Sequence, residues 1–495
     1  MTLMAAAGLA AIATSFRWLR IAQREHYHPG SVTRFAIRWW RSTPLNLVLG
    51  IVAPAAAVGV WWVDLLGWPA VAGGLGPSGL SLRGRSSKLM WTSRLRRLAV
   101  AVWVLVGGGV LIGTLSERPG WAIATLVGLP IVTDAALAIL GPFERRLGQK
   151  WVGLAKSRLA ASGARVVAIT GSYGKTTTKV YLGHLIGVRF RTLVTPASFN
   201  NRMGLARAVN EHLAPGMEVF VAEMGTYGQG EIADLCSFVP PEIAVITAIG
   251  PVHLERFGTM EAIVAAKREI LNQARVAVLN IDDSLLARVA EEEVGNRKVV
   301  RVSARDTTAD ISVVGQTLHV GGTECGPVRS DVFPANLAAA VGAAIELGVP
   351  ALDVAGRLKD LPVAPHRRQV ATSERGIVVV DDTYNANPEG ATAALGTMLA
   401  VDGTGRRVLV TPGMVELGDR QDDENRRFAR LAADQVTDIV VVGRTNRASL
   451  LEGAATGKAT VTVLRSRAEA VDWVRSHLGP GDAVLYENDL PDHYP

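Results

Sequence analysis

Ile169-Thr170-Gly171-Ser172-Tyr173-Gly174-Lys175-Thr176-Thr177-Thr178-Lys179 is the stretch that decides the fold. Ahead of it runs the apolar, β-branched Val166-Val167-Ala168-Ile169, and behind it a helix-compatible segment from Thr177 to Ile186. Strand, glycine-rich turn and helix N-terminus together make an anion cradle. Backbone N–H groups and the positive helix end converge there, and glycine lets the backbone approach a phosphate. Lys175 is placed to reach the β- and γ-phosphates, and the Thr176 hydroxyl to ligate Mg²⁺. Gly171, Ser172, Gly174 and Thr177 complete a loop suited to a nucleoside triphosphate. Thr170 rather than glycine stands four residues before Gly174, and the strict Walker A pattern is not met.

From Arg165 onward, short apolar runs alternate with helical stretches: Val166–Ile169, Val219–Ala222, Ile243–Ile246 and Val276–Leu279. Such alternation predicts an α/β fold, a mostly parallel sheet covered by helices. A second series after Pro365 takes in Ile377–Val380, Val408–Val410, Ile439–Val442 and Ala483–Leu485, and reads as a separate Rossmann-like domain. The expected division is a central ATP-binding domain over residues 151–361 and a C-terminal domain over 362–495. Two cysteines, Cys236 and Cys325, cannot build a disulfide framework. Both are expected as buried small apolar side chains in a reducing compartment.

Residues 1–150 differ in kind. They hold 16 Lys and Arg against 5 Asp and Glu, whereas the remainder holds 36 against 40. The basic excess borders apolar runs, which favours membrane topology over a nucleic-acid partner. Pro44–Val63, Leu65–Leu82, Leu98–Leu115 and Gly120–Pro142 are candidate spans, since about twenty apolar residues cross a bilayer core. Leu65–Leu82 is rich in Gly and Pro, and Met1–Phe16 reads as a fifth span, an interfacial helix or a signal peptide. Arg17, Arg20, Arg24, Arg34, Arg38 and Arg41 precede the first strong span, and Arg83, Arg85, Lys88, Arg94, Arg96 and Arg97 fill the next loop. The positive-inside rule puts both groups on the cytoplasmic side, and the last hairpin returns the chain there at Glu144-Arg145-Arg146. The expectation is a multi-pass membrane domain over residues 1–150, of about four to five spans, in a bacterial plasma membrane with the catalytic domains cytoplasmic. Asp64 is expected at the interface. Asp134, inside a span, is either functional or structural.

Further clusters follow the phosphate loop in order: Phe199-Asn200-Asn201-Arg202-Met203-Gly204, Val221-Ala222-Glu223-Met224-Gly225, the turn from Thr247 to Gly258 with His253, the helical Ala265-Ala266-Lys267-Arg268-Glu269-Ile270, and Val380-Asp381-Asp382-Thr383-Tyr384-Asn385-Ala386-Asn387-Pro388. Together with the loop, this series resembles the Mur ligase superfamily, and within it the ligases that add D-alanyl-D-alanine. The resemblance implies an ATP-dependent carbon–nitrogen ligase that joins a carboxylate to an amine through an acyl phosphate. It implies Thr176 and Glu223 on one Mg²⁺, and His253 with a carbamylated Lys267 on a second. Lys175, Lys267 and His253 become the catalytic candidates. Asn201 or its neighbour Asn200 would contact nucleotide or phosphate. Arg367 or its neighbour Arg368 would reach the nucleotide, and Asn336 would lie by the adenine. Asp382 or Asp381 would hold the ribose, with Tyr384 and Asn385 nearby.

The residue chemistry suits that reaction. Carboxylate and ATP are both anionic, so Mg²⁺ and Lys175 must neutralise them before phosphoryl transfer. Thr176 and Glu223 are hard oxygen ligands suited to Mg²⁺. Carbamylation requires an unprotonated amine, hence a depressed lysine pKa. Taken singly, each residue has a plainer reading. Lys267 is then a solvated helix lysine, His253 a turn histidine, Asn200 and Asn201 turn formers, and Asp381-Asp382 a strand-to-turn cap.

The chain also departs from the family pattern. The UDP-binding N-terminal domain has no visible counterpart, and a membrane domain stands in its place. The family's His-Asn-x-x-Asn segment appears as Val332-Phe333-Pro334-Ala335-Asn336, keeping only the last asparagine. A Lys-Gly-Ser-Arg-like basic turn is replaced near Tyr486-Glu487-Asn488-Asp489. That reversal reads either as a different, cationic amine or as a solvated acidic tail. The leading expectation is a membrane-bound amide ligase acting on a lipid-linked or polymeric cell-envelope acceptor, with an amino acid or other amine as nucleophile. The alternatives are a cytoplasmic-face D-Ala-D-Ala-adding peptidoglycan precursor ligase with a simple anchor, a poly-amino-acid synthase, and a non-catalytic nucleotide-binding scaffold.

Overall fold

A computed structural model describes residues 2–80, 89–196, 199–252, 254–362, 369–383, 387–401, 405–490 and 494. Met1–Leu147 with Leu490–Pro495 form one unit, and Gly148–Asp489 the other. The first unit is helical: α1 (Thr2–Arg24), α2 (Ser31–Trp40), α3 (Pro44–Gly59), α4 (Gly67–Gly74), α5 (Ser93–Leu115), α6 (Gly120–Val127) and α7 (Leu129–Ser162), which runs on into the second unit. By length and composition α1 and α5, each of 23 residues, can cross a membrane. The pair α6 and α7 makes a third candidate if counted as one, although it is bent by 78°.

The expected four to five spans therefore reduce, among the described residues, to two or three. The reason lies in chain length between breakers. The 16 residues of α3 rise about 24 Å, short of a bilayer core of about 30 Å. Within Leu65–Leu82 only the 8 residues of α4 are α-helical among those described, ending in Gly73-Gly74. The N-terminal segment, open between three readings, instead becomes the long helix α1, extending through Arg17 and Arg20 to Arg24.

Asp134 has a structural role. Its carboxylate accepts the N–H of Val32 (3.3 Å), the N–H of Thr33 (2.8 Å) and the Thr33 hydroxyl (2.6 Å). Gly30 at the start of α2 has no side chain to cap it. Asp134 supplies the missing acceptor from α7, at the helix end where negative charge is favoured.

The second unit carries two sheets. The larger has β1 (Arg165–Thr170), β2 (Thr192–Val194), β3 (Val219–Glu223), β4 (Ile243–Ile246), β5 (Val276–Asn280), β6 (Lys298–Ser303), β7 (Ile311–Val314), β8 (Thr317–Val320) and β9 (Thr323–Pro327). Their order is β2-β3-β1-β4-β5-β6-β7-β8-β9, parallel up to β7 and antiparallel beyond it. Alternate residues enter opposite layers: Val166 and Ala168 in one, Val167 and Ile169 in the other. Covering both faces explains why these strands read as unbroken apolar runs. Cys236 is buried in this core as expected, whereas Cys325 on β9 is only half-buried.

The smaller sheet has β10 (Gln369–Thr372), β11 (Val378–Asp382), β12 (Arg407–Thr411), β13 (Asp438–Val442), β14 (Thr460–Leu464) and β15 (Ala483–Glu487). Its order is β10-β11-β15-β12-β13-β14, with β10 the antiparallel edge. In the larger sheet the strand order reverses at β1, which lies between β3 and β4. At such a switch point a crevice opens at the carboxyl ends of the strands. The loop after β1, Glu223 at the end of β3 and Thr247 after β4 all emerge there.

Candidate active site

The loop after β1 ends at Gly174, where α8 (Lys175–Ile186) begins. Two of its glycines are required by space as well as by backbone. Gly174 has φ +84°, and a Cβ there would lie 2.3 Å from Asn336 Oδ1. At Gly171 a Cβ would lie 2.0 Å from Thr247 Oγ1. The loop is strapped to the turn after β4: Ser172 N–H donates to Ala248 O (2.8 Å), and Gly250 N–H donates to Ser172 Oγ (2.9 Å). Lys175 Nζ folds back onto Gly171 O at 2.7 Å, so its ammonium already rests inside the cradle. The strict Walker A spacing puts the first glycine five residues before Gly174, at Ile169 rather than at Thr170, and Ile169 is buried core of β1.

One turn into α8 the chemistry converges on Glu223. Its Oε2 accepts from Thr176 Oγ1 (3.1 Å) and lies 2.8 Å from Lys179 Nζ, while Oε1 accepts from Asn200 Nδ2 (3.2 Å). Burial pushes this carboxyl upward, but the Lys179 and Lys175 ammoniums and the Asn200 amide outweigh it and hold it below the usual range. An ionised, buried carboxylate beside a hydroxyl is a hard-oxygen donor pair that fits Mg²⁺. Among the described residues, no group of three or more His, Cys, Asp or Glu side chains gathers as a metal cluster. Lys267 is buried near the end of the helix Met260–Arg268. Desolvation first, and repulsion from Lys175 second, hold its amine well below the ordinary lysine range. The reading of Lys267 as a solvated helix lysine is thereby excluded.

A cleft of 770 Å³ opens beside the loop, lined by Gly174, Thr177 and Asn336 from the larger sheet's side and by Asp382 from the smaller sheet's side. Asn201 is engaged otherwise: its side chain caps the helix Arg202–His212 by accepting Gly204 N–H at 2.9 Å. Its neighbour Asn200 is the one that reaches Glu223. His253, Arg367, Arg368, Tyr384 and Asn385 lie outside the described residues.

Lys179, Asn200 and Thr247 are the site residues that motif reading undervalued. The available signal for Lys179 was its spacing, four residues after Lys175 and hence on the same helix face. Tyr173 is a further addition: burial, Glu389 and Asp283 push its phenol up, and Glu389 belongs to the helix Pro388–Leu399. Glu487, at the end of β15, is fully buried with its Oε2 on the Thr411 hydroxyl, so at this residue the acidic turn is no solvated tail.

The Mur ligase middle domain profile matches residues 169–337, and the Mur ligase glutamate ligase domain profile matches residues 366–486. The UDP-N-acetylmuramoyl-tripeptide--D-alanyl-D-alanine ligase of Mycobacterium leprae is 31% identical over 375 residues, covering 66% of this chain and 72% of its own length. The chain belongs to the Mur ligase family. The Bacillus subtilis ligase of the same name is 29% identical, covering 68% of this chain and 75% of its own. Among solved structures, MurF from Acinetobacter baumannii superposes with a TM-score of 0.59 at 28% identity, over 69% of this chain and 77% of its own. MurF from Thermotoga maritima in complex with ADP gives 0.58 at 25% identity, over 69% and 80%. This Mur ligase is an ATP-dependent carbon–nitrogen ligase, and its Thermotoga maritima relative holds ADP.

Proposed function

We propose that this Mur ligase joins D-alanyl-D-alanine, or a closely similar amine, to the peptide carboxylate of a peptidoglycan precursor at the cytoplasmic face. The observation that carries the reading is the convergence of Lys175, Thr176, ionised Glu223 and deprotonation-prone Lys267 at one switch point. The names of the relatives support the dipeptide and the precursor.

In the proposed reaction a carboxylate oxygen attacks the γ-phosphorus of ATP, ADP leaves, and the acyl phosphate forms. The amine nitrogen then attacks the acyl carbon, phosphate leaves and a proton is lost from nitrogen. Lys175 swings from Gly171 O onto the β/γ-phosphates, and the loop N–H groups hold the rest of the chain of phosphates. Thr176 and Glu223 would hold Mg²⁺, which supplies charge neutralisation for phosphoryl transfer. Lys267, once carbamylated, would serve a second Mg²⁺ with His253. Asp382 would take the ribose and Asn336 the adenine side, with Arg367, Tyr384 and Asn385 completing the nucleotide contacts. We assign these roles to a functional division at residues 150 and 361.

A lipid-linked acceptor is a second reading, favoured by α1 and α5 in the same chain and by Leu9, Ile51, Trp62, Val104 and Leu111, whose side chains stay exposed. The test is acceptor choice. Full-length protein with ATP, Mg²⁺ and D-alanyl-D-alanine is offered UDP-N-acetylmuramoyl-tripeptide or the same peptide on a lipid carrier. Amide formation on the UDP-linked acceptor supports the first reading. Formation on the lipid-linked acceptor alone replaces it with the second.

A further inference from the structure

Lys179 is a buried cation for which phosphate binding gives no reason. It sits four residues, one helical turn, deeper into α8 than Lys175, and faces β3 rather than the loop. Its Nζ lies 2.8 Å from Glu223 Oε2, and the two side chains are only 4% and 3% exposed. We propose that Lys179 is a positioning residue whose ammonium stands in for metal charge on Glu223 in the nucleotide-free protein, so that the divalent cation enters only together with the triphosphate. This rests on the reading of Thr176 and Glu223 as the metal-facing pair.

The lone pairs of Glu223 are nearly used. An ionised carboxylate offers about four acceptor sites, and Thr176, Lys179 and Asn200 each take one. Thr176 can turn its hydroxyl proton away and leave its oxygen, with the oxygen of Glu223, for a metal. Lys179 and Asn200 can keep their own sites meanwhile, so the carboxylate stays fixed as the metal arrives. Charge then decides when it arrives. Lys175 and Lys179 both act on the carboxylate, so the attraction it offers a metal is already offset before any metal comes. A free dication is repelled from such a site, and more strongly in a place that water scarcely screens. The triphosphate reverses that sign, and its own oxygens complete the metal's ligands.

The test is Mn²⁺ binding followed by electron paramagnetic resonance on the full-length protein, without nucleotide and with a non-hydrolysable ATP analogue. Wild type is expected to take up Mn²⁺ at the site only with the analogue. Lys179→Met is expected to bind Mn²⁺ without nucleotide, at least about tenfold tighter than wild type. Lys179→Arg keeps the charge and should behave as wild type. The wild-type arms decide the matter even where Lys179→Met does not fold. Wild type binding Mn²⁺ equally well with and without the analogue overturns the proposal, as does a folded Lys179→Met no tighter than wild type. Absence of binding in every arm removes the metal-facing reading of Glu223, and this proposal with it.

Discussion

Glu223→Gln is the most informative single change for the site's electrostatics. It keeps the volume and removes the charge that lies 2.8 Å from the Lys179 ammonium, where water barely reaches. Breaking one side of a buried pair costs about 3–5 kcal/mol. The Arg207–Glu211 pair, with side chains 59% and 39% exposed, is the internal control, and breaking it should cost less than about 1 kcal/mol. At roughly 2–4 °C per kcal/mol, Glu223→Gln should lower the melting temperature by about 6–20 °C, and Glu211→Gln by a few degrees at most. Lys179→Met alone should also destabilise, because it strands the carboxylate. The double variant should recover most of the loss, with a coupling of about 2 kcal/mol or more between the sites. Thermal melting of the four proteins, followed by circular dichroism, measures the cycle. A Glu223→Gln protein melting as late as Glu211→Gln, with additive effects in the double variant, would refute the argument.

Three other outcomes are expected. Burial, opposed by the Thr411 hydroxyl and assisted by Asp382, pushes the Glu487 carboxyl up to about 8, well above the ordinary carboxylate range. The folded protein thus keeps a proton that the unfolded chain has lost, so stability should fall as pH rises through that window and level off above it. Glu487→Gln should flatten the slope and gain more at pH 9 than at pH 6, and melting at both values checks it. Gly174→Ala forces a left-handed backbone on a residue with a Cβ, which costs about 1–2 kcal/mol. It also displaces Asn336, so binding of a fluorescent ATP analogue should weaken at least about tenfold, a loss of roughly 1.4 kcal/mol or more. Asp134→Ala removes the cap of α2 and should cost about 1–2 kcal/mol in chemical denaturation.

The sequence was most legible where local rules and packing agree. The phosphate loop announces itself because strand, turn and helix start are contiguous, and its glycines are demanded by atoms they nearly touch. The parallel sheets were legible for a related reason, since strands covered on both faces must be apolar throughout. Lys179 was harder to read, because its role depends on Glu223, 44 residues later in the chain, meeting it across β1. Asn200 and Asn201 look alike in sequence, and only the fold sends one to Glu223 and the other to a helix end. In residues 1–150, hydropathy found the apolar runs but not their breaks. Helix length is set by glycine and proline spacing, which cut 44–80 into pieces too short to span. Asp134 stayed open between a functional and a structural role because the helix it caps lies about a hundred residues away.

The products of a complete reaction report the ligation itself. Full-length protein is incubated with ATP, Mg²⁺, UDP-N-acetylmuramoyl-tripeptide and D-alanyl-D-alanine, and ADP, phosphate and the new amide are quantified together. Equal amounts of all three are expected, with dependence on both the carboxylate and the amine, and loss of all three in Lys175→Ala. ADP release that continues unchanged when either partner is omitted, or that persists in Lys175→Ala, would contradict the proposed reaction.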